Sequence, residues 1–247
     1  MMRNSGHRFA VVAGWVLGAI ALLVVCLLVW TQTVMPGDRA AALKAWRDDA
    51  ISIRSTDHSI VMTPTDADGS GLVFIPGAKV DPYAYLYKLS GIAADGTTVV
   101  VTKPTLNLAF FDTRPLGTFT ADAPDVTDWF VGGHSLGGVR ACMLADDPAV
   151  GGLVLFGSYC ANDLSHTSLG VLSIAGGNDG LSTPQKIADS AHLLPQSTQF
   201  VQIDGANHAA FGDYGVQPGD GVATVGSRRV REEITRASEH FIGSDRG

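Results

Sequence analysis

Seven residues constrain this chain more than any others: Gly132-Gly133-His134-Ser135-Leu136-Gly137-Gly138, set between the apolar run Trp129-Phe130-Val131 and the helix-forming run Val139-Arg140-Ala141-Cys142-Met143-Leu144-Ala145. The core of this stretch fits G-x-S-x-G, and strand, sharp turn and helix are the context in which that pattern means a nucleophile elbow. A serine on so tight a turn sits at strained φ/ψ. The residues two before and two after it must be tiny, and glycine meets that demand at Gly133 and Gly137. The hydroxyl then stands above the end of a sheet, at a helix N-terminus that favours developing negative charge. A glycine-rich turn that merely carries a serine has the same letters, so the reading depends on a base and an acid further along.

Strand and helix patterns alternate along the rest of the chain. Residues 51–53 and 59–62 alternate apolar with polar and suggest an antiparallel strand pair. Residues 72–75 are a short continuous apolar run, as a buried parallel strand requires, and 97–101, 152–156, 170–175 and 199–203 are expected as further strands. Helices are expected from Pro82, over 184–192 with Thr183 as N-cap, and over 227–242. Residues 103–128 read as long and irregular. This order predicts an α/β fold with a mostly parallel central sheet and helices on both faces, in which a site gathers at the carboxyl ends of the strands.

Two of those strand ends carry what Ser135 needs. Asp179 follows strand 170–175 within Gly176-Gly177-Asn178-Asp179-Gly180, and His208 follows strand 199–203 within Asp204-Gly205-Ala206-Asn207-His208. Chain order Ser, Asp, His is that of α/β-hydrolases. In that chemistry His208 takes the proton of Ser135 and Asp179 fixes the imidazole. Asp163 and Asp204 are rival acids; Asp163 follows the preceding strand, and Asp204 is close to His208 in sequence. His134 reads as a packing group inside the elbow. For the oxyanion, the backbone N–H of Leu136 is one expected donor and that of Ala78, after Pro76-Gly77, the other.

The blocks FIPGAKVDPYAY (74–85), NLAFFD (107–112), GGHSLGG, GGNDGLSTP (176–184) and GANHAAFGDYGVQPGDG (205–221) together resemble bacterial α/β-hydrolases of the "fold-5" group, related to dienelactone hydrolases. The resemblance runs from about residue 51 to the C-terminus. It implies Ser135, Asp179 and His208 as the catalytic set, with 107–112 and the loop after His208 lining the pocket, and it supplies no substrate. The elbow holds serine where related proteins have cysteine, which favours ordinary ester chemistry.

Ahead of this domain, residues 9–30 run without a charge, close to the ~20 residues a membrane-spanning helix needs. Arg3, His7 and Arg8 precede the run, so the N-terminus is expected in the cytoplasm and the rest outside. The apolar run is longer than a signal-peptide core and no small-x-small cleavage site follows it. The expected organisation is therefore a cytoplasmic N-terminus (1–8), an uncleaved anchor (9–30), a juxtamembrane stalk (31–50) with a short helix, and one hydrolase domain (51–247). A net charge of -7 excludes a basic nucleic-acid surface. The three cysteines have no metal spacing; Cys142 and Cys160 are expected as free thiols, because Cys142 lies two turns down its helix from where Cys160 should emerge. No metal or organic cofactor is expected. The expected partners are a small-molecule ester and the membrane, with a carboxylesterase as the leading reading. Acyl transfer by the same residues, and a non-catalytic binding module on a hydrolase scaffold, are the alternatives; oligomeric state is not legible.

Overall fold

A computed structural model describes residues 4–244; Arg3, one of the charges from which an orientation of the apolar run is expected, lies outside them. Helix α1 (Asn4–Gln32) holds the apolar run, and its segment His7–Gln32 is long and apolar enough to cross a bilayer. From His7 to Trp30 its residues are exposed or, at Ala13, half-buried, and in the last turn Thr31 is buried against the domain. Helix α2 (Arg39–Trp46) is capped by Asp38, whose carboxylate accepts the Ala41 N–H at 2.7 Å.

Eight strands follow: β1 (Ile51–Ser55), β2 (Ser59–Pro64), β3 (Ser70–Ile75), β4 (Thr98–Thr102), β5 (Asp128–His134), β6 (Val150–Phe156), β7 (Gly170–Gly176) and β8 (Gln199–Ile203). They form one sheet in the order β1-β2-β4-β3-β5-β6-β7-β8. β2 runs antiparallel to both its neighbours, and all pairings from β4 to β8 are parallel. The expected pair 51–53/59–62 and all five later strands are present, with ends moved by a residue or two.

Successive residues of the inner strands feed opposite faces. Leu72, Phe74, Val99, Val101, Phe130, Val154 and Phe156 point to one core, and Val73, Ile75, Val100, Val131, Leu153 and Leu155 to the other. The first core is covered by α3 (Leu86–Ala94) and α7 (Ser227–Ser244), through Leu86, Leu89, Ile92, Val230, Ile234 and Phe241. The second is covered by α4 (Gly117–Thr120) and α5 (Leu136–Leu144), through Phe119, Ala141, Cys142 and Leu144. A parallel sheet covered on both faces leaves its carboxyl ends as the place where loops meet. α6 (Pro184–Ser190) leads from β7 towards β8, starting one residue after its cap Thr183.

Two expectations change. Cys142 and Cys160 form a disulfide with Cα atoms 5.6 Å apart, rather than standing as free thiols. The chain after β6 does not stay at the sheet's end but folds back along α5. Ser158 Oγ donates to the Ser135 carbonyl and Asn162 Nδ2 to the Cys142 carbonyl, which carries Cys160 down to the level of Cys142. Residues 31–50, expected to lift the domain away, lie packed on it: Ala41 and Ala45 are buried, and Met35 forms an isolated bridge with Val80.

Candidate active site

β5 delivers its last residue, His134, straight into Ser135, which takes φ 53° and ψ -124° before α5 begins at Leu136. That left-handed backbone is costly for a residue with a Cβ and holds only where the surroundings enforce it. They do so through close contact. A Cβ on Gly137 would fall on the carbonyl oxygens of Ile75 and Pro76, and one on Gly133 would fall on the backbone of Gly137 and Gly138. The two small residues flanking the turn are therefore required by backbone packing, as the pattern implied.

Against the elbow residue His134, whose ring centroid is 4.4 Å from that of His208, lies a buried pair. His208 Nδ1 stands 2.7 Å from Asp179 Oδ2, and both side chains are almost fully excluded from water. Asp179 follows β7, where its other oxygen accepts the N–H groups of Leu181 (2.8 Å) and Ser182 (2.7 Å), so the carboxylate has one orientation. The rival acids are elsewhere: Asp163 is exposed and pairs with His166 at 3.7 Å, and Asp204 accepts from Gln202. Ser135 Oγ makes no hydrogen bond among the described residues, a common state for catalytic groups without substrate.

His134 forms the floor under this pair. Its ring centroid is 4.4 Å from that of His208, and Tyr85, Phe211 and Tyr214 ring it on other sides. Burial, then the charge of His208, holds its pKa well below the ordinary 6.5, so the ring is neutral.

The loop after β3 carries the second expected donor. Gly77 N–H donates to the Tyr85 hydroxyl at 2.9 Å, and the same hydroxyl meets His134 Nδ1 at 2.9 Å. With Gly77 so engaged, the N–H groups of Ala78 and Leu136 are the ones left without partners among the described residues. Leu136 N–H is open because it begins a helix. Burial raises the Tyr85 pKa far above 10, which keeps this hydroxyl neutral.

Two residues organise the site in ways not read from the sequence, where Asp220 has no assigned role and Tyr85 is only one of several aromatic residues that could shape a pocket or fill the core. Asp220 accepts from the N–H groups of His208 (3.0 Å), Ala209 (2.8 Å) and Gly180 (3.1 Å), binding the loop of the histidine to that of the aspartate. Tyr85 joins the loop of Ala78 to the elbow. Their signal was present only as letters inside the blocks 74–85 and 205–221.

Beside the elbow a groove of about 340 Å³ runs between Leu136, Val139, Arg140 and Met143 of α5 and Phe110 of the irregular segment. That segment folds as two 3-10 turns, Thr105–Asn107 and Ala109–Phe111.

Sheet order, one reversed strand near the edge and a strained serine between β5 and α5 define the class, an α/β-hydrolase fold with the site at the carboxyl ends of its strands. A profile of the alpha/beta hydrolase family matches residues 71–232, from β3 into α7, and the chain belongs to that family. No curated protein matches the chain.

Proposed function

We propose that the protein is a membrane-anchored serine hydrolase that cleaves carboxylic esters outside the cytoplasm, with Ser135 as nucleophile, His208 as general base and acid, and Asp179 as its orienting partner. The observation that carries this reading is the buried 2.7 Å pair of His208 and Asp179, packed against His134, which precedes the positive-φ Ser135 in the elbow. Ser135 Oγ attacks the ester carbonyl carbon while its proton passes to His208 Nε2. Asp179 keeps the Nδ1 proton in place and stabilises the imidazolium. The oxyanion is held by the N–H groups of Ala78 and Leu136; loss of such a donor lowers kcat by about 10²–10³. The alcohol leaves with the proton from His208. Water, deprotonated by the same nitrogen, then releases the acid from the acyl-enzyme.

The cellular side is supported by two independent features. His7 and Arg8 precede the apolar helix, and the Cys142–Cys160 disulfide belongs to an oxidising compartment. The test is labelling by a fluorophosphonate probe. The wild type should label, Ser135→Ala should not, and His208→Ala should label at least a hundredfold more slowly. A folded wild type that does not label sinks the proposal.

A further inference from the structure

The end of the apolar helix is fastened to the loops that frame the candidate site. Asn107 Nδ2 donates to the Thr31 carbonyl at 3.0 Å, and Lys79 Nζ lies 3.9 Å above the Trp30 ring while donating to Thr33 Oγ1. Met35 N–H donates to the Lys79 carbonyl at 2.7 Å and accepts from Asp81 N–H at 3.0 Å through its own carbonyl. Lys79 N–H in turn donates to the Asn107 carbonyl at 2.8 Å. Lys79 directly follows Ala78, and Asn107 opens the segment that carries Phe110 and Phe111. Lys79, Leu106 and Asn107 all hold positive φ, so this junction is formed at the expense of backbone strain.

Depth follows from helix geometry. The 22 uncharged residues 9–30 measure about 33 Å at 1.5 Å per residue, close to the ~30 Å hydrocarbon thickness. Trp30 and Thr31 then stand at the headgroup level, where Trp side chains concentrate. Lys79 and Asn107, which touch them, stand there too. Phe110 is three residues beyond Asn107 and so within about 11 Å of it. Phe110 is 75% exposed, Phe111 stacks edge-on against it at 5.5 Å, and Met143 lies exposed across the groove. Such a cluster on a water-facing surface is unfavourable, and beside a membrane it is not. Arg140 lines the groove and Lys79 stands at the junction with Asn107, neither with a carboxylate partner among the described residues, and the one carboxylate of the lining, Asp112, is paired with Arg114, so the acidic balance of the whole chain does not repel this face from the headgroups.

We propose that the mouth of the site faces the bilayer on which the protein is anchored, and that its substrate is an amphiphilic acyl ester taken from that leaflet, with the acyl chain entering between Phe110 and Met143. This rests on the serine-hydrolase reading and names the substrate class for the same site. The bilayer is the occupant because the anchor itself ends on the loops that frame the groove.

The test uses the full chain in nanodiscs with two esters of one chromogenic alcohol, a butyrate dissolved in water and an oleate dissolved in the bilayer. Phe110→Ser/Phe111→Ser should lower the ratio of oleate to butyrate turnover at least tenfold. Phe200→Ser, which removes an exposed phenylalanine on β8, should leave it unchanged. An unchanged ratio in the double variant overturns the proposal. A second readout needs no activity. In a Cys26→Ser background, a fluorophore on Phe110→Cys should be quenched by lipids brominated near the headgroup; quenching only by aqueous iodide overturns the orientation. Failure of the wild type to label with fluorophosphonate overturns the hydrolase reading, and with it the substrate assignment, while the quenching still decides which way the mouth faces.

Discussion

At the residue scale the site depends on groups that never touch a substrate. His134 is kept neutral by burial, and this has a cost that can be measured. Between the pKa of the unfolded chain, near 6.5, and the depressed value in the folded protein, the unfolded state binds a proton that the native state refuses. Stability is therefore full above pH 6.5 and falls as pH drops below it, by up to about 1.4 kcal/mol per pH unit for one group. Melting curves at pH 7.0 and 5.5 should show this fall in the wild type and a flatter response in His134→Gln. Equal slopes would assign the effect to another group. Tyr85→Phe removes the acceptor of the buried Gly77 N–H and the partner of His134 Nδ1. The expected costs are about 1–3 kcal/mol of stability and about a hundredfold in kcat as the Ala78 loop loses its position, with KM nearly unchanged. A loss seen in KM alone would deny Tyr85 this positioning role. The elbow at Ser135 and the candidates Asp179 and His208, which the fold pairs, were legible because each is a particular side chain at a strand end. Tyr85 and Asp220 were not, because both act on backbone N–H groups, and those become partners only once the loops have their shape.

Elements were legible wherever burial on two faces demanded an unbroken apolar run. β3, β4 and β6 carry such runs, and that of β7 is interrupted only by the buried Ser173. The loop after β6 was not legible. Its path is set by polar contacts of Ser158 and Asn162 with backbone carbonyls of the elbow and α5, and such contacts have no periodicity to read. This is why the cysteine pairing was expected wrongly. The disulfide closes a loop of 18 residues, for which restriction of the unfolded chain contributes about 3 kcal/mol. Replacing both cysteines with serine should lower Tm by about 6–12 °C for a domain of this size. Because the bridge also holds the chain that leans on the Ser135 carbonyl, fluorophosphonate labelling of the double serine variant should slow even well below its Tm. A Tm within 2 °C of wild type would mean the loop is held by its hydrogen bonds alone.

For the whole molecule, the apolar helix and the hydrolase-fold domain are joined as one body rather than as a tether and its cargo. The sequence suggests a separate stalk over 31–50, yet within 31–38 the chain is hydrogen-bonded to the domain at Thr31, Thr33, Met35 and Asp38. Thr31 is buried, Met35 packs beside the main core and pairs with the loop at Lys79 and Asp81, and Asp38 N–H donates to the Asp213 carbonyl at 2.5 Å. Asp213 precedes Tyr214, one of the rings around His134, and Lys79 follows Ala78. Removing the segment would therefore release both sides of the site. Two backbone hydrogen bonds at Met35, each worth roughly 0.5–1.5 kcal/mol, hold Lys79 in a left-handed conformation that costs on the order of 1–3 kcal/mol. The terms are of similar size, so the loop should relax once they are lost. A soluble form beginning at Asp38 should fold, because both cores lie downstream of it, yet it should label with fluorophosphonate at least tenfold more slowly than a form beginning at Thr31. Asp38 is retained in both forms, so the difference reports on residues 31–37 alone. Equal labelling rates would show that the Ala78 loop keeps its shape unaided and that the anchor sets location only. A tenfold deficit, reversed by restoring 31–37 without the apolar helix, would show that the membrane junction is part of the catalytic framework.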